Sequence, residues 1–108
     1  MSQENTGLGV LNLICDIWDQ VNDRVVQLPP AHFAASLIIQ IAEALEHIKD
    51  GDKEAATKEV VDIISVSLNW LRAFGLDRRG IEELILLRLS RYADPVAIMD
   101  KYRKVYGI

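Results

Sequence analysis

The stretch EALEHIKDGDKEAATKEVVD, residues 43–62, decides the fold of this chain because it joins two helical patterns through a very short turn. The turn is Asp50-Gly51-Asp52, and residues of these types favour turns over helix or strand. So few residues can only fold the chain back on itself. The stretch therefore predicts an antiparallel helical hairpin.

Both arms of this hairpin carry apolar residues at the spacing of an amphipathic helix. The pattern predicts one helix over residues 31–49 and a longer one over 53–74, which Gly75 ends as a helix C-terminal glycine. The apolar positions are Phe33, Leu37, Ile38, Ile41, Ala44, Leu45 and Ile48 before the turn, and Val60, Ile63, Ile64, Leu68, Trp70, Leu71 and Phe74 after it.

Three further helices are predicted around the hairpin. The first covers residues 8–27 and is stopped by Pro29-Pro30, and the fourth covers 81–91. Asp94-Pro95 indicates an N-cap followed by a first-turn proline, which opens a short fifth helix. No stretch has a strand pattern, so we predict an all-α fold of about five helices in one domain over residues 1–108, with residues 1–7 mobile.

Composition limits the classes of partner. The 108 residues are 50% apolar and carry 12 Lys and Arg against 16 Asp and Glu, a formal net charge of −4. This balance disfavours nucleic acid as a partner unless Arg78, Arg79, Arg88 and Arg91 share one face. Cys15 is the only cysteine and lies in an apolar run, which predicts a buried thiol. With neither a signal-peptide pattern nor a membrane-length apolar run, we predict a cytoplasmic protein without a membrane partner.

Acidic stripes run along both helices of the predicted hairpin. At 100° per residue, Ser36, Gln40, Glu43 and His47 share one stripe, with Glu46 and Asp50 along its edge; Glu59 and Asp62 share another with Asn69. Ordinary solvated faces are the alternative interpretation, but these usually mix charge signs. Like charges brought together favour a bound divalent cation, and oxygen ligands suit Mg²⁺ or Mn²⁺ better than zinc.

The segment Glu43-Ala-Leu-Glu-His-Ile-Lys-Asp-Gly-Asp, followed by Glu59-Val-Val-Asp62, resembles the all-α nucleoside triphosphate pyrophosphatases, the MazG-like group. Members carry E-E-x-x-E on one helix and E-x-x-D on the next, and these side chains hold Mg²⁺. The likeness covers roughly residues 33–76. Aligned through the turn, Gln40 stands where the family has a glutamate, and an amide offers an oxygen without the charge. A second register would pair Glu43 with Glu46 instead.

The resemblance implies an enzyme that cleaves a nucleoside triphosphate to a monophosphate and pyrophosphate, with nucleotide-pool housecleaning as one role such an enzyme could serve. It implies Glu43, Glu59 and Asp62 as ligands of Mg²⁺, or of Mn²⁺ in its place, with Gln40 as a weaker fourth. One of the carboxylates, or Glu46, would be the general base. The expected substrate-binding residues are Arg88 and Arg91 for the phosphates, and Asn69 and Trp18 for the nucleoside.

Some of these residues also have ordinary structural interpretations. Trp70 is expected in the core, while His32 and His47 are expected at the surface or at helix ends. A non-catalytic helical dimerisation module derived from the same fold is the rival function, and Gln40 favours it. Under either function the hairpin is expected to complete a four-helix bundle in a homodimer or homotetramer.

Overall fold

All secondary structure that the computed structural model describes, over residues 8–108, is helical. The α-helices are α1 (Leu8–Asp19), α2 (Asn22–Val25), α3 (Pro30–Lys49), α4 (Lys53–Ala73), α5 (Arg78–Leu89) and α6 (Pro95–Tyr106), with a 3-10 helix at Ser90–Tyr92. The all-α prediction is confirmed. No helix in this range has the length and apolarity that a membrane crossing requires. The mobility predicted for residues 1–7 concerns residues outside the described range.

The predicted hairpin is present as α3 and α4, and their packing is the most extensive between any two helices described. Gly51 has a φ of +76°, which lets its N–H donate to the Ile48 carbonyl and the Asp52 N–H to the His47 carbonyl. The Asp52 carboxylate then accepts from the Ala55 N–H at 3.0 Å and caps α4. Three residues thus end one helix and begin the next.

The end of α4 follows the same pattern. Gly75 has a φ of +96°, its N–H donates to the Arg72 carbonyl at 2.9 Å, and the Leu76 N–H donates to the Leu71 carbonyl at 3.2 Å. These are the two bonds of a glycine-terminated helix, so the predicted role of Gly75 is confirmed. The observed bounds of α3 and α4 agree with the predicted ones to within one residue at each end.

The single first helix predicted over residues 8–27 is wrong, because the chain breaks between Asp19 and Asn22. The Val21 N–H donates to the Trp18 carbonyl in a turn, and α1 ends there. The break presents the negative end of α1 to a cation from α4, since Arg72 donates to the Cys15 carbonyl at 3.2 Å. Apolar spacing cannot reveal such a partner 57 residues away.

Arg72 is the centre of a buried polar cluster that joins α1 and α2 to α4 and α5. Its side chain is 2% exposed, and its Nη1 donates to Asp19 Oδ1 at 2.5 Å and to Asn22 Oδ1 at 3.1 Å. Arg78, at the start of α5, donates to Asp19 Oδ2 at 2.8 Å and also pairs with Asp16. We call these five side chains the Arg72 cluster. The Arg72 hydrogen bond holds the pKa of Asp19 below its ordinary value despite partial desolvation.

The fourth predicted helix, 81–91, is shifted in the structure to Arg78–Leu89. It starts earlier because the Asp77 carboxylate accepts from the Gly80 N–H at 2.8 Å, an N-cap that the apolar pattern did not reveal. The chain then tightens into the 3-10 helix. The cap predicted at Asp94 is confirmed, because its carboxylate accepts from the Ala97 N–H at 3.0 Å and Pro95 opens α6.

The hairpin has two unlike faces. Ile38, Ile41, Leu45 and Ile48 of α3 and Val60 and Ile64 of α4 are all about half exposed or more, and at 100° per residue they lie on one side. We call this set the apolar face. It continues along α4 into a groove of about 300 Å³ lined by Ser67, Trp70, Leu71 and Phe74. The acidic stripes lie on the opposite side, towards α1 and α2.

We expect Gly51→Ala to lower the free energy of unfolding by about 1 kcal/mol, because the left-handed conformation is unfavourable for an L-residue. No atom lies within 4 Å of an added Cβ, so the cost is one of backbone conformation alone. Urea denaturation at one fixed protein concentration measures it. Gly51→Asn is the matched control and should cost less; equal stability of Gly51→Ala and wild type would contradict the assignment.

We expect Asp19→Asn to destabilise the protein by about 1–2 kcal/mol, a range that allows for the partial exposure of Asp19. A lowered folded-state pKa means that ionised Asp19 stabilises the fold above its ordinary pKa. This stabilisation is lost as the pH falls through the folded-state pKa. The stability gap between wild type and variant, measured by urea denaturation across pH, should therefore close in acid. The control Asp23→Asn, at an exposed site on α2, should leave stability unchanged.

Candidate functional site

The acidic stripes of α3 and α4 meet around Glu59. Glu43 of α3 lies within hydrogen-bonding reach of the Glu59 carboxyl, and Asp62, one turn along α4, adds its charge. His47 Nε2 lies 3.9 Å from Glu59 Oε1. The Glu59 side chain is only 17% exposed, although it is ionisable and lies on a hairpin. The two halves of the predicted carboxylate cluster thus approach each other across the helix pair.

Partial burial raises the pKa of Glu59 above its ordinary value, and the hydrogen bond and negative charge of Glu43 raise it further. Asp62 acts in the same direction, while His47 opposes the shift. Two carboxyls can share a hydrogen bond only if one of them holds a proton. The cluster therefore binds positive charge more readily than separated carboxylates would, whether as a proton or as a cation.

Gln40 supplies an independent sign of an absent partner. Its Oε1 is buried and has no hydrogen-bond partner, and it lies one turn before Glu43 on α3. Oxygen donors of this kind suit a hard cation such as Mg²⁺. Over residues 8–108, however, no three His, Cys, Asp or Glu side chains converge closely enough to hold a metal ion. The donor set fits a cation that takes only one or two carboxylates and completes its shell with water and substrate phosphates.

A cavity of about 200 Å³ lies further along the same side of the hairpin. It brings together two residues that the sequence analysis proposed for substrate binding, Trp18 and Asn69. Asn69 is 8% exposed, and its Oδ1 is buried without a partner. The remaining lining residues are Val25, Leu28, His32, Phe33, Ser36, Ser65 and Val66. The cavity thus combines aromatic rings with an amide oxygen that has no hydrogen-bond donor, and small-molecule sites usually have apolar walls with a few polar groups of this kind.

The cavity and the carboxylates are aligned along both helices. Ser36 at the cavity and Glu43 are seven residues apart on α3, and Asn69 and Asp62 are seven apart on α4. At the rise of an α-helix each separation is ~10 Å. A ligand of that length with a planar group at one end and negative charge at the other would span the two regions.

Other predicted site residues are not brought together with this cluster. Arg88 lies near the end of α5 and Arg91 in the 3-10 helix; both are exposed, and no ion pair joins them to the carboxylates in the described part of the chain. Glu46 is exposed at the edge of the α3 stripe. Trp70 stacks between Phe33 and Phe74 rather than beside Trp18, and because it is only partly buried and lines the open groove of α4, it lies at the margin of the core and not within it.

Sequence patterns assigned no role to Arg72, and they placed Arg78 only in a conditional nucleic-acid surface. A usable signal was present: Arg72 follows Trp70 and Leu71 in an apolar pattern, and Asp16 and Asp19 form an acidic pair three residues apart on α1. The Arg72 cluster holds the end of α1, and with it Trp18, over the cavity. Arg78 pairs with Asp16 and Asp19, and Arg79 with Glu83, so these two arginines do not form an open basic patch.

No family model, curated protein or solved structure matches this chain.

We expect Glu59→Gln to raise the thermal midpoint in buffer without divalent cations. A raised folded-state pKa means that ionising Glu59 costs stability, and the cost appears as the pH rises through the range in which Glu59 titrates. The gain in stability from this substitution should therefore be present at pH 7 and vanish in acid. Differential scanning fluorimetry across pH measures it, with Glu54→Gln, a carboxylate on the exposed first turn of α4, as the control.

Proposed function

We propose that this protein is a Mg²⁺-dependent nucleoside triphosphate pyrophosphohydrolase, which cleaves a (deoxy)nucleoside triphosphate to the monophosphate and pyrophosphate. The observation that carries the proposal is the pairing of Glu43 with Glu59 at ~10 Å from the cavity that contains Trp18 and Asn69. A nucleotide has its base and its charged phosphates at such a separation.

The cavity would hold the nucleoside. Its lining offers the indole of Trp18 and the ring of His32 as apolar surfaces for a base. Asn69 Oδ1 lacks a donor in the unliganded protein, and a base N–H or a ribose hydroxyl would supply one. Binding then removes the cost of a buried, unpaired amide oxygen, which is a source of specificity as well as affinity.

The carboxylates would act at the phosphate end. Two of the three predicted ligands, Glu43, Glu59 and Asp62, would hold Mg²⁺ with the help of the Gln40 oxygen, and the ion when bound neutralises and orients the phosphates. Glu46 or one of the cluster carboxylates would take the proton from the attacking water. Water oxygen then bonds to the α-phosphorus, the bond to the bridging oxygen breaks, and pyrophosphate leaves with that electron pair.

The sequence resemblance supports the same chemistry, because Glu59-x-x-Asp62 and the Gly51-Asp52 turn match the MazG-like pattern. Oligomerisation belongs to the proposal as well. The exposed apolar face of the hairpin is the kind of surface that another pair of helices covers in a four-helix bundle, so a homodimer or homotetramer is expected.

A second candidate, a non-catalytic helical interaction module, is favoured by two specific observations. Gln40 removes one charge from the acidic pattern, and no three acidic or histidine side chains of the described residues form a ready metal site. In this candidate the raised pKa of Glu59 is a remnant of a lost site, and the apolar face is the functional surface.

The hydrolase and the interaction module predict different results in an assay of nucleotide hydrolysis. We expect the purified protein with Mg²⁺ to release pyrophosphate from at least one member of a panel of canonical and modified NTPs and dNTPs, and to release none with EDTA. Chromatography of the nucleotide product should give the monophosphate, since attack at the γ-phosphate would give a diphosphate. A protein that neither turns over nor binds any of these nucleotides in a Mg²⁺-dependent way supports the interaction module.

Two substitutions test the assignment of residues. Asp62→Asn should abolish turnover with unchanged helicity, while the control Glu54→Gln should retain it. Gln40→Glu should bind Mg²⁺ more tightly, by roughly tenfold, because it adds a charged oxygen ligand. Isothermal titration measures the affinity. An unchanged Mg²⁺ affinity for Gln40→Glu would show that the second register, Glu43 with Glu46, is the correct one.

A further inference from the structure

The C-terminal arm, residues 86–108, has almost no contact with the rest of the chain. Its side chains are all exposed except Ile98, and α6 has no extended packing against any of the helices α1–α5. Ten large apolar residues of the arm are 43–81% exposed. They are Leu86, Leu87, Leu89, Tyr92, Val96, Met99, Tyr102, Val105, Tyr106 and Ile108.

The helix α6 within this arm is amphipathic, and a helix of this kind normally packs its apolar side against another surface. At 100° per residue Met99, Tyr102, Val105 and Tyr106 share one arc of α6. Asp100, Lys101 and Lys104 lie on the other arc, and Arg103 lies beside Met99 at the edge of the apolar arc. A 12-residue helix is marginal in water by itself and takes most of its stability from packing of its apolar side. The sequence therefore encodes a helix whose partner surface lies outside its own fold unit.

The rest of the same chain, residues 1–85, which we call the body, offers an exposed apolar surface that could receive α6. The apolar face of the hairpin and its groove, lined by Ser67, Trp70, Leu71 and Phe74, are open along helices of 20 and 21 residues. These helices are ~30 Å long, enough to receive the ~18 Å of α6. The arm and the groove are both exposed within one chain, so the arm does not pack in the groove of its own chain.

Charge selects the body as the arm's partner. The arm carries five Lys and Arg and two Asp, whereas residues 1–85 carry seven Lys and Arg and fourteen Asp and Glu. Net charge therefore favours contact between an arm and a body over contact between two arms. An anionic membrane would attract the arm yet repel the acidic body. The apolar residues Leu86, Leu87 and Leu89 also surround the end of α5 instead of forming one side that could lie on a bilayer.

The exposed surface of the chain is also large enough for a stable interface between two copies. The chain exposes 8246 Å², whereas ~6,100 Å² is expected for a compact folded monomer of 12.2 kDa. The excess of roughly 2,000 Å² is more than the ~800 Å² that each partner buries in a standard stable interface.

We propose that two copies of this chain exchange arms, so that α6 of each copy docks in the α4 groove of the other. The contact is reciprocal: the apolar arc of α6 covers Trp70, Leu71 and Phe74 of the partner, and the basic edge of the arm faces an acidic body. The interaction does not depend on catalysis, so its test is separate from that of the proposed function.

The first test is the oligomeric state of the full chain by light scattering and sedimentation equilibrium. The wild type should be dimeric at micromolar concentration, and the double variant Met99→Glu/Tyr106→Glu should raise the dimer Kd by roughly 30-fold or more, because two carboxylates would enter an apolar contact. The control Ala97→Glu places one such carboxylate on the polar arc and should leave the Kd close to that of the wild type. Circular dichroism verifies that the body stays helical.

The second test distinguishes arm-to-groove contact from symmetrical alternatives. Ser67→Glu blocks the groove without removing a packed side chain, and by itself should also weaken the dimer. A mixture of the arm variant and the groove variant should form a heterodimer, since the intact arm of one fits the intact groove of the other. Under arm-to-arm or groove-to-groove contact, a heterodimer of the two variants would have no intact interface, and one of the variants would dimerise by itself.

Several results would overturn the proposal. They are a monomeric wild type, a dimer unaffected by Met99→Glu/Tyr106→Glu, or a mixture of variants that stays monomeric. A wild type that is monomeric and floats with phosphatidylglycerol vesicles through α6 would show a membrane-surface role for the arm instead. A dimer that requires arms and grooves but hydrolyses no nucleotide would leave arm exchange standing while the proposed function fails.

Discussion

The buried guanidinium of Arg72 sets how α1, α2 and α5 meet α4. A buried cation must be neutralised by nearby acceptors, and α4 alone provides no carboxylate for it. Asp19, Asn22 and the Cys15 carbonyl meet that need together, and they do so because α1 ends where it does. The same contacts set α1 against α4, position Trp18 beside the cavity, and bring Arg78 at the start of α5 into the cluster. One buried charge thus fixes the approach of three helices.

The packing of the hairpin holds together a group of side chains whose close approach is by itself unfavourable. Its turn is closed by hydrogen bonds at Gly51 and Asp52, and its interface buries Phe33, Ala44 and Ala56. Against this frame Glu43 and Glu59 are held close enough to raise the pKa of Glu59, and Gln40 and Asn69 keep buried oxygens without donors. Unsatisfied groups that occur together along one side of a hairpin are a usual sign that a ligand is expected there.

The acidic and apolar sides of the hairpin have different surroundings in the structure. The acidic side meets α1 and α2 and encloses the cavity, so its chemistry can be completed within one chain. The apolar side and the C-terminal arm are both uncovered in the single chain, and the proposed association of two copies would cover them. Because the polar and apolar stripes are on the same two helices, association through the apolar side would stiffen the elements that carry the carboxylates.

The helical class, the hairpin and the helix ends at Asp52, Gly75 and Asp94 could all be predicted from the amino-acid sequence. These features depend on local chemistry: apolar spacing, N-caps and left-handed glycines. The sequence also put Glu43 and Glu59 on stripes that could face each other, because a three-residue turn leaves little freedom in register. Only the tertiary structure decided the break after Asp19, the burial of Arg72, the cavity shared by Trp18 and Asn69, and the isolation of α6. Each of these depends on a partner more than 25 residues away, or on the lack of one, and no local pattern carries that information.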